Sequence, residues 1–195
     1  MNVVENESYL TIEACQGSME AFEALVTYYE PRIRRMLYGL TRDVQLTQDL
    51  CQETFLAAYK ALPRMDGNTL HFAPWLYRIA LNQVRSEWRK QKHVMIMPFS
   101  VSLRSEEGVD DEPYENYLLS EDPFEERIVE RDLVRRALAQ MPHASAACLL
   151  LDAEGFSYTE IAEILQDSLA AVRSRLSRAR QTFRRIYAGL DRGGR

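Results

Sequence analysis

Apolar residues recur through most of the chain at the three- and four-residue spacing of an α-helix. In the first half, this spacing predicts helices over about 8–16, 19–40, 43–61 and 74–91. Pro74 favours the start of the last of these, because proline is tolerated in the first helical turn. The pattern therefore predicts an N-terminal module made only of helices.

Near the C-terminus the pattern is typical of a helix-turn-helix. Ser157 with Glu160 three residues later forms a capping box, which predicts the start of a helix with one apolar face. The polar stretch 166–168 interrupts it, and Asp167 or Ser168 can cap a second helix. In that second helix, the inward stripe is expected to consist of Val172, Leu176, Ala179 and Phe183.

The second of these helices is strongly cationic. Its six arginines are Arg173, Arg175, Arg178, Arg180, Arg184 and Arg185, and no acidic residue occurs between 173 and 185. Solvated helix faces usually mix both signs of charge, because opposite charges four residues apart attract. Contact with the phosphates of a nucleic acid is therefore the favoured interpretation, and an ordinary solvated face is the alternative.

The net charge of −5 conceals an uneven distribution. It is zero over residues 1–92, −9 over 93–126 and +4 over 127–195. Helical periodicity also lapses from about 93 to 123, where like charges and turn-forming residues resist packing. The sequence thus predicts an all-α protein of two small helical domains, 1–92 and 124–195, joined by a flexible acidic linker, 93–123.

The predicted helix 74–91 carries a second cationic surface. Arg78, Asn82, Arg85 and Arg89 share one face at spacings of four, three and four residues. Arginines there suit phosphates, and Asn82 can hydrogen-bond a base edge. The alternative is that cations simply favour the negative end of the helix dipole.

Several classes of protein are disfavoured. The three cysteines are far apart and odd in number, which argues against a disulfide framework and a metal site. The three histidines are scattered and no glycine-rich phosphate loop occurs, so we expect no enzyme and no cofactor. No apolar run approaches the length of a membrane span, and no signal peptide is evident, so we expect a cytoplasmic protein without membrane insertion.

The motifs resemble those of extracytoplasmic-function (ECF) sigma factors of bacterial RNA polymerase. The resemblance rests on the segments 49–56 (DLCQETFL), 72–80 (FAPWLYRIA) with Asn82, 155–165 and 172–176, in that order. It covers about 20–187, and so includes both predicted modules. It implies a subunit that directs core RNA polymerase to promoters and promotes DNA melting without catalysing a reaction itself.

The resemblance also implies roles for individual residues. Docking on the polymerase β′ subunit would use Asp49, Gln52 and Glu53 of the third helix. Recognition of the −10 element would use Met65, Asp66, Gly67, Asn68, Leu70 and His71 of the loop, with Arg78, Asn82, Arg85 and Arg89. Recognition of the −35 element would use Tyr158, Thr159, Ala170, Ala171, Arg173, Ser174, Arg175 and Arg178. The implied partners are core polymerase through its β′ and β subunits, promoter DNA and an anti-sigma protein.

Trp75 could stack on single-stranded DNA, but its helical spacing with Leu76 and Ile79 favours a place in the core.

The main alternative function is a stand-alone helix-turn-helix regulator, which would bind DNA without polymerase. A protein-binding helical adaptor would not explain why Asn82 shares a face with three arginines.

Overall fold

The computed structural model describes residues 3–94 and 124–193, and no strand occurs in these ranges. The helices are α1 (Val3–Cys15), α2 (Met19–Thr41), α3 (Val44–Ala61), α4 (Phe72–Val94), α5 (Phe124–Ala139), α6 (His143–Ala153), α7 (Tyr158–Leu165) and α8 (Leu169–Gly193), with a 3₁₀ turn at Leu62–Arg64. The all-α prediction is confirmed. Two helices begin earlier than the sequence predicts: α1 at Val3 and α4 at Phe72. Pro74 lies within the first turn of α4, where a missing N–H costs no helical hydrogen bond.

Helices α1–α4 form the N-terminal module around α2. Side chains of α2 such as Leu25, Ile33 and Leu37 are fully buried, which follows from the apolar spacing in the sequence. Local caps set the helix starts: the Ser18 side chain accepts a hydrogen bond from the Ala21 amide, and that of Asp43 accepts one from the Leu46 amide. This framework holds α4 with one face inward and the other outward.

Helices α5–α8 form the C-terminal module, and α7 and α8 are the predicted helix-turn-helix. The capping box of Ser157 and Glu160 is present. Gln166 ends α7 in the left-handed backbone conformation. Ser168, rather than Asp167, caps α8 by accepting a hydrogen bond from the Ala171 amide. The inward stripe of α8 is confirmed, with Phe183 half-buried and the other three residues buried.

The two modules pack against each other. Helix α2 contacts α5 and α6, and α4 contacts α7. The Tyr77 and Phe156 rings meet edge to face with centroids 4.8 Å apart. A Cβ added to Gly39 would lie 3.1 Å from a methyl group of Leu150. The predicted linker, apart from its first two residues, lies outside the described residues, so its character and the domain boundaries remain predictions.

Glu154 is the polar centre of this interface. Its Oε1 accepts hydrogen bonds from Nε and Nη2 of Arg35 at 3.0 and 2.8 Å, and its Oε2 accepts one from the Tyr77 hydroxyl at 3.1 Å. Arg32 lies 3.9 Å from the same carboxylate, whose side chain is only 8% exposed. Burial, together with the Glu154 carboxylate, raises the pKa of Tyr77, so its hydroxyl remains a donor.

Candidate nucleic-acid interface

The polar face of α4 points outward, as the sequence predicts. Asn82 and Arg89 are exposed, and Arg78 and Arg85 are half-buried. The opposite face anchors the helix, since Leu76, Ala80 and Val84 are fully buried. This packing aligns three guanidinium groups and one amide along a single ridge, where they can meet a polyanion.

Trp88 adds an aromatic ring to this face, although the sequence pattern does not predict a role for this residue. It lines a surface cleft with Asn82, Arg85 and Arg89. Its ring stacks on His143 of α6, with centroids 3.9 Å apart and planes inclined by 23°. Trp88 follows Arg85 by three residues, and this helical spacing is the sequence signal that could have placed it next to the polar face. Trp75, by contrast, is 5% exposed and packs against Phe72, so its assignment to the core is confirmed.

The loop between the 3₁₀ turn and α4 is organised by Asp66. Its Oδ1 accepts hydrogen bonds from the backbone and side-chain nitrogens of Asn68 at 3.0 and 3.1 Å. These bonds, led by the backbone one, hold the pKa of Asp66 below its usual value. Gly67 is required on steric grounds, since an added Cβ would lie 2.7 Å from Cα of Ile12.

The other predicted loop residues line the same segment. Met65, Asn68 and His71 are exposed, and Leu70 is half-buried. Helix α1 lies against one side of this loop at Gly67, and α4 follows the loop directly in the chain. Exposed apolar and amide groups there can accommodate an unpaired base.

Helix α3 presents the predicted ridge to solvent. Asp49, Gln52 and Glu53 are all exposed. Leu56 and Tyr59 extend this ridge toward the end of the helix, with 52% and 45% of their surface exposed. Exposed apolar and aromatic side chains are typical of a surface that binds another protein, and the carboxylates suit a basic partner.

Most of the residues of α8 that the sequence predicts to contact DNA are exposed. Arg173, Ser174 and Arg178 are exposed, as is Ala170, whereas Ala171 is half-buried. Tyr158 and Thr159 are exposed at the first turn of α7. Tyr158 lies beside Arg180, whose Nη1 is 3.2 Å from its hydroxyl, so the first turn of α7 lies next to the middle of α8.

Two arginines of α8 have acidic partners from outside the helix. Arg175 forms an ion pair with Asp167. Arg180 donates from Nη2 to both carboxylate oxygens of Asp152 at 2.8 and 2.7 Å, and from Nη1 to the Tyr158 hydroxyl at 3.2 Å. These bonds, first those to Asp152, raise the pKa of Arg180. Although α8 has no acidic residue between 173 and 185, the preceding turn and α6 supply carboxylates to these two arginines.

Other functional groups are sparse in the part of the chain that the structure describes. No cluster of three His, Cys, Asp or Glu side chains there could hold a metal ion. Nor does any helix in those ranges combine the length and apolar character that a bilayer crossing needs. Cys51 and Cys148 are buried as free thiols, and Cys15 is half-buried.

Comparisons with known proteins agree with this architecture. Residues 25–94 match the family Sigma-70 region 2, and residues 131–183 match Sigma-70, region 4. The RNA polymerase sigma-H factor of Pseudomonas aeruginosa is 31% identical over 194 residues, which are 96% of this chain and 97% of that protein. The ECF RNA polymerase sigma-E factor of Salmonella typhimurium is 32% identical over 180 residues, 86% of this chain and 87% of that protein.

A solved structure has the same fold. CnrH, in complex with the cytosolic domain of CnrY, superposes with a TM-score of 0.66 at 25% identity, over 94% of this chain and 96% of that one. The two family matches lie one in each helical module, and the sigma-H factor is matched over 97% of its length. The chain belongs to the ECF family of RNA polymerase sigma factors. It is therefore a transcription initiation factor that directs RNA polymerase to promoters.

Proposed function

We propose that the polar face of α4, together with the loop 65–71, recognises and melts the −10 element, and that α8 reads the −35 element. The observation that carries this assignment is the outward alignment of Arg78, Asn82 and Arg85 beside the loop. The corresponding functional domains are 1–92 and 124–195. A linear promoter thereby meets one cationic surface on each module.

At the −10 element, the arginines of α4 contact phosphates and Asn82 hydrogen-bonds a base edge. The loop residues take up an unpaired base, with Asp66, Gly67 and Asn68 setting the backbone and Met65, Leu70 and His71 lining the space. Extruding a base costs a few kcal/mol, so only sequences whose base fits the loop compensate for that cost.

At the −35 element, Arg173, Ser174 and Arg178 lie in the major groove, and Ala170 and Ala171 allow close approach of the helix. Tyr158 and Thr159 bring the amide end of α7 toward the DNA backbone. Arg175 keeps its predicted place next to the DNA, but its ion pair with Asp167 must loosen before it meets a phosphate.

Protein partners use other surfaces. Asp49, Gln52 and Glu53 dock on the β′ subunit of core polymerase, and the C-terminal module contacts the β subunit. A sequestering anti-sigma protein is a further partner, in line with the complex of CnrH with the cytosolic domain of CnrY. The place of action is the cytoplasm, where polymerase works.

The decisive experiment compares variants of α4 in holoenzyme reconstituted with core polymerase. On a promoter selected from a library, we expect Asn82→Ala to lower open-complex formation by about 5- to 150-fold and to relax discrimination at one base position. Arg85→Ala should weaken binding to all sequences and make it less salt-dependent. Arg136→Ala, which removes an exposed arginine of α5, is the matched control.

Two outcomes would contradict the proposal. Open-complex formation that is unchanged in both α4 variants would remove α4 from the −10 contact. Sequence-specific binding of the free chain to duplex DNA, with no stimulation of polymerase, would instead favour the stand-alone regulator.

A further inference from the structure

The cleft beside Asn82 contains a ring that the proposed −10 contacts do not use. Trp88 lines this cleft together with Asn82, Arg85 and Arg89. It is half-buried, packs against the core and stacks on His143. An aromatic face between guanidinium groups is the arrangement with which proteins bind single-stranded nucleic acid.

The His143 ring occupies the space that a base would need. The two rings are nearly parallel, with centroids 3.9 Å apart, which is the geometry of a base stacked on an indole. An imidazole also has the shape of the five-membered ring of a purine. His143 belongs to α6 of the C-terminal module, so this stack exists only while the two modules are packed together.

We propose that Trp88 is a stacking platform for an unpaired base of the melted DNA strand, and that His143 covers it when the modules pack against each other. This inference rests on the proposed contact between α4 and the −10 element. It adds a base-binding position beside Asn82, with Arg85 and Arg89 placed for the adjoining phosphates. Module packing and base capture then compete for the same ring.

Glu154 stabilises the packed arrangement that covers Trp88. Its carboxylate binds Arg35 and Tyr77 of the N-terminal module and is almost inaccessible to water. Because this site is remote from the ring, replacing the charge tests the competition without altering the platform. Glu154→Gln keeps the shape of the side chain but removes the charge that holds Arg35.

The platform is tested in reconstituted holoenzyme with forked promoter DNA that carries 2-aminopurine at successive unpaired positions. We expect one position to be quenched by the unsubstituted protein and by Trp88→Phe, and to recover fluorescence with Trp88→Leu. Affinity for the fork should fall by about 5- to 150-fold in Trp88→Leu, which is the usual worth of one stacked base.

The outcomes separate this inference from the proposed function. If Trp88→Leu behaves as the unsubstituted protein while Arg85→Ala weakens binding, α4 binds DNA and the platform is refuted. If neither variant changes binding, both the stacking platform and the proposed contact between α4 and DNA are refuted. If Trp88→Phe and Trp88→Leu lose binding equally and both melt at lower temperature, Trp88 has only a packing role and the inference is overturned.

The covering role of His143 is tested with the full chain in the absence of polymerase, using the single strand of the same fork. Glu154→Gln and His143→Ala should each raise the affinity for this oligonucleotide. Combining either change with Trp88→Leu should abolish the gain. An unchanged affinity, or a gain that persists without Trp88, would refute the competition.

Discussion

At the scale of single residues, Gln166 shows how this helix-turn-helix manages without a glycine in its turn. Its φ of 58° lies in the left-handed region, which favours residues without a Cβ. The turn is nevertheless closed, because the Asp167 amide bonds to the Ala162 carbonyl at 3.0 Å. The hydrogen bonds and the flanking helices thus hold a conformation that glutamine itself disfavours.

Replacing Gln166 by glycine should therefore stabilise the protein. We expect Gln166→Gly to raise the free energy of unfolding by about 0.5 kcal/mol, because the relief of backbone strain exceeds the added chain entropy of glycine. Denaturant titration measures the change. Gly155→Ala is the reciprocal control, since φ is 93° there and the substitution should destabilise. A lower stability of Gln166→Gly would show that the side chain itself holds the turn.

Cys148 provides a residue-scale prediction about pH. Burial raises the pKa of its thiol from 9.0 to about 11 in the folded protein. Between pH 9 and 11 the thiol therefore stays protonated in the folded state and ionises in the unfolded state. Its contribution to the free energy of unfolding is complete below pH 9 and declines as pH rises toward 11. Between pH 8 and 10 the free energy of unfolding should fall by roughly 1 kcal/mol more in the unsubstituted protein than in Cys148→Ala. Equal losses in denaturant titrations would contradict the burial effect.

At the scale of elements, α8 is held in place by charges that other helices supply. Arg180 reaches Asp152 of α6 and Tyr158 of α7, and Arg175 reaches Asp167 in the turn. These bonds fix the rotation of α8 against its neighbours, so the same arginines that give the helix its positive charge also position it. Arg173 and Arg178 remain exposed, and the proposed contact with the −35 element would use them.

Removing the Asp152 charge should loosen this arrangement. We expect Asp152→Asn to lower the free energy of unfolding by about 1 kcal/mol, since the Arg180 pair is partly exposed and solvent weakens it. Asp132→Asn is the control, because Asp132 pairs with Arg136 on one helix and both side chains are largely exposed. Its effect should be close to zero. Thermal melting of both variants distinguishes a structural pair from a surface pair.

At the scale of the whole molecule, the packing of the two modules limits what the free chain can bind. Promoter elements centred 25 base pairs apart are separated by about 85 Å of duplex. A compact chain of this size is only about 40 Å across. If α4 and α8 bind the two elements as proposed, both can be bound together only after the modules separate, and the Glu154 contacts must then be broken.

Removing those contacts should open the free protein. Glu154→Ala leaves Arg35 and Tyr77 without their shared acceptor, so we expect the radius of gyration in solution scattering to increase. Glu163→Ala, an exposed change on α7, should leave it unchanged. An unaltered radius for Glu154→Ala would mean that apolar contacts such as Tyr77 with Phe156 hold the modules by themselves.

Prediction from sequence was most successful where local order along the chain decides the result. Helical spacing identified the inward stripe of α8 and the polar face of α4, and the capping box located the start of α7. It was less accurate at helix ends, as with Phe72 and Val3, because tertiary packing can extend a helix beyond its local signals. Trp88 was missed because its partner His143 is remote in sequence.

The sequence by itself determined helices α1–α4, α7 and α8, the polar face of α4 and the apolar stripe of α8. It did so because a helix repeats every 3.6 residues, so spacing alone assigns a face. Only the tertiary structure decided that Arg175 and Arg180 have carboxylate partners, that Glu154 joins the modules and that His143 covers Trp88. Such contacts depend on elements far apart in the chain meeting in space, which no local pattern specifies.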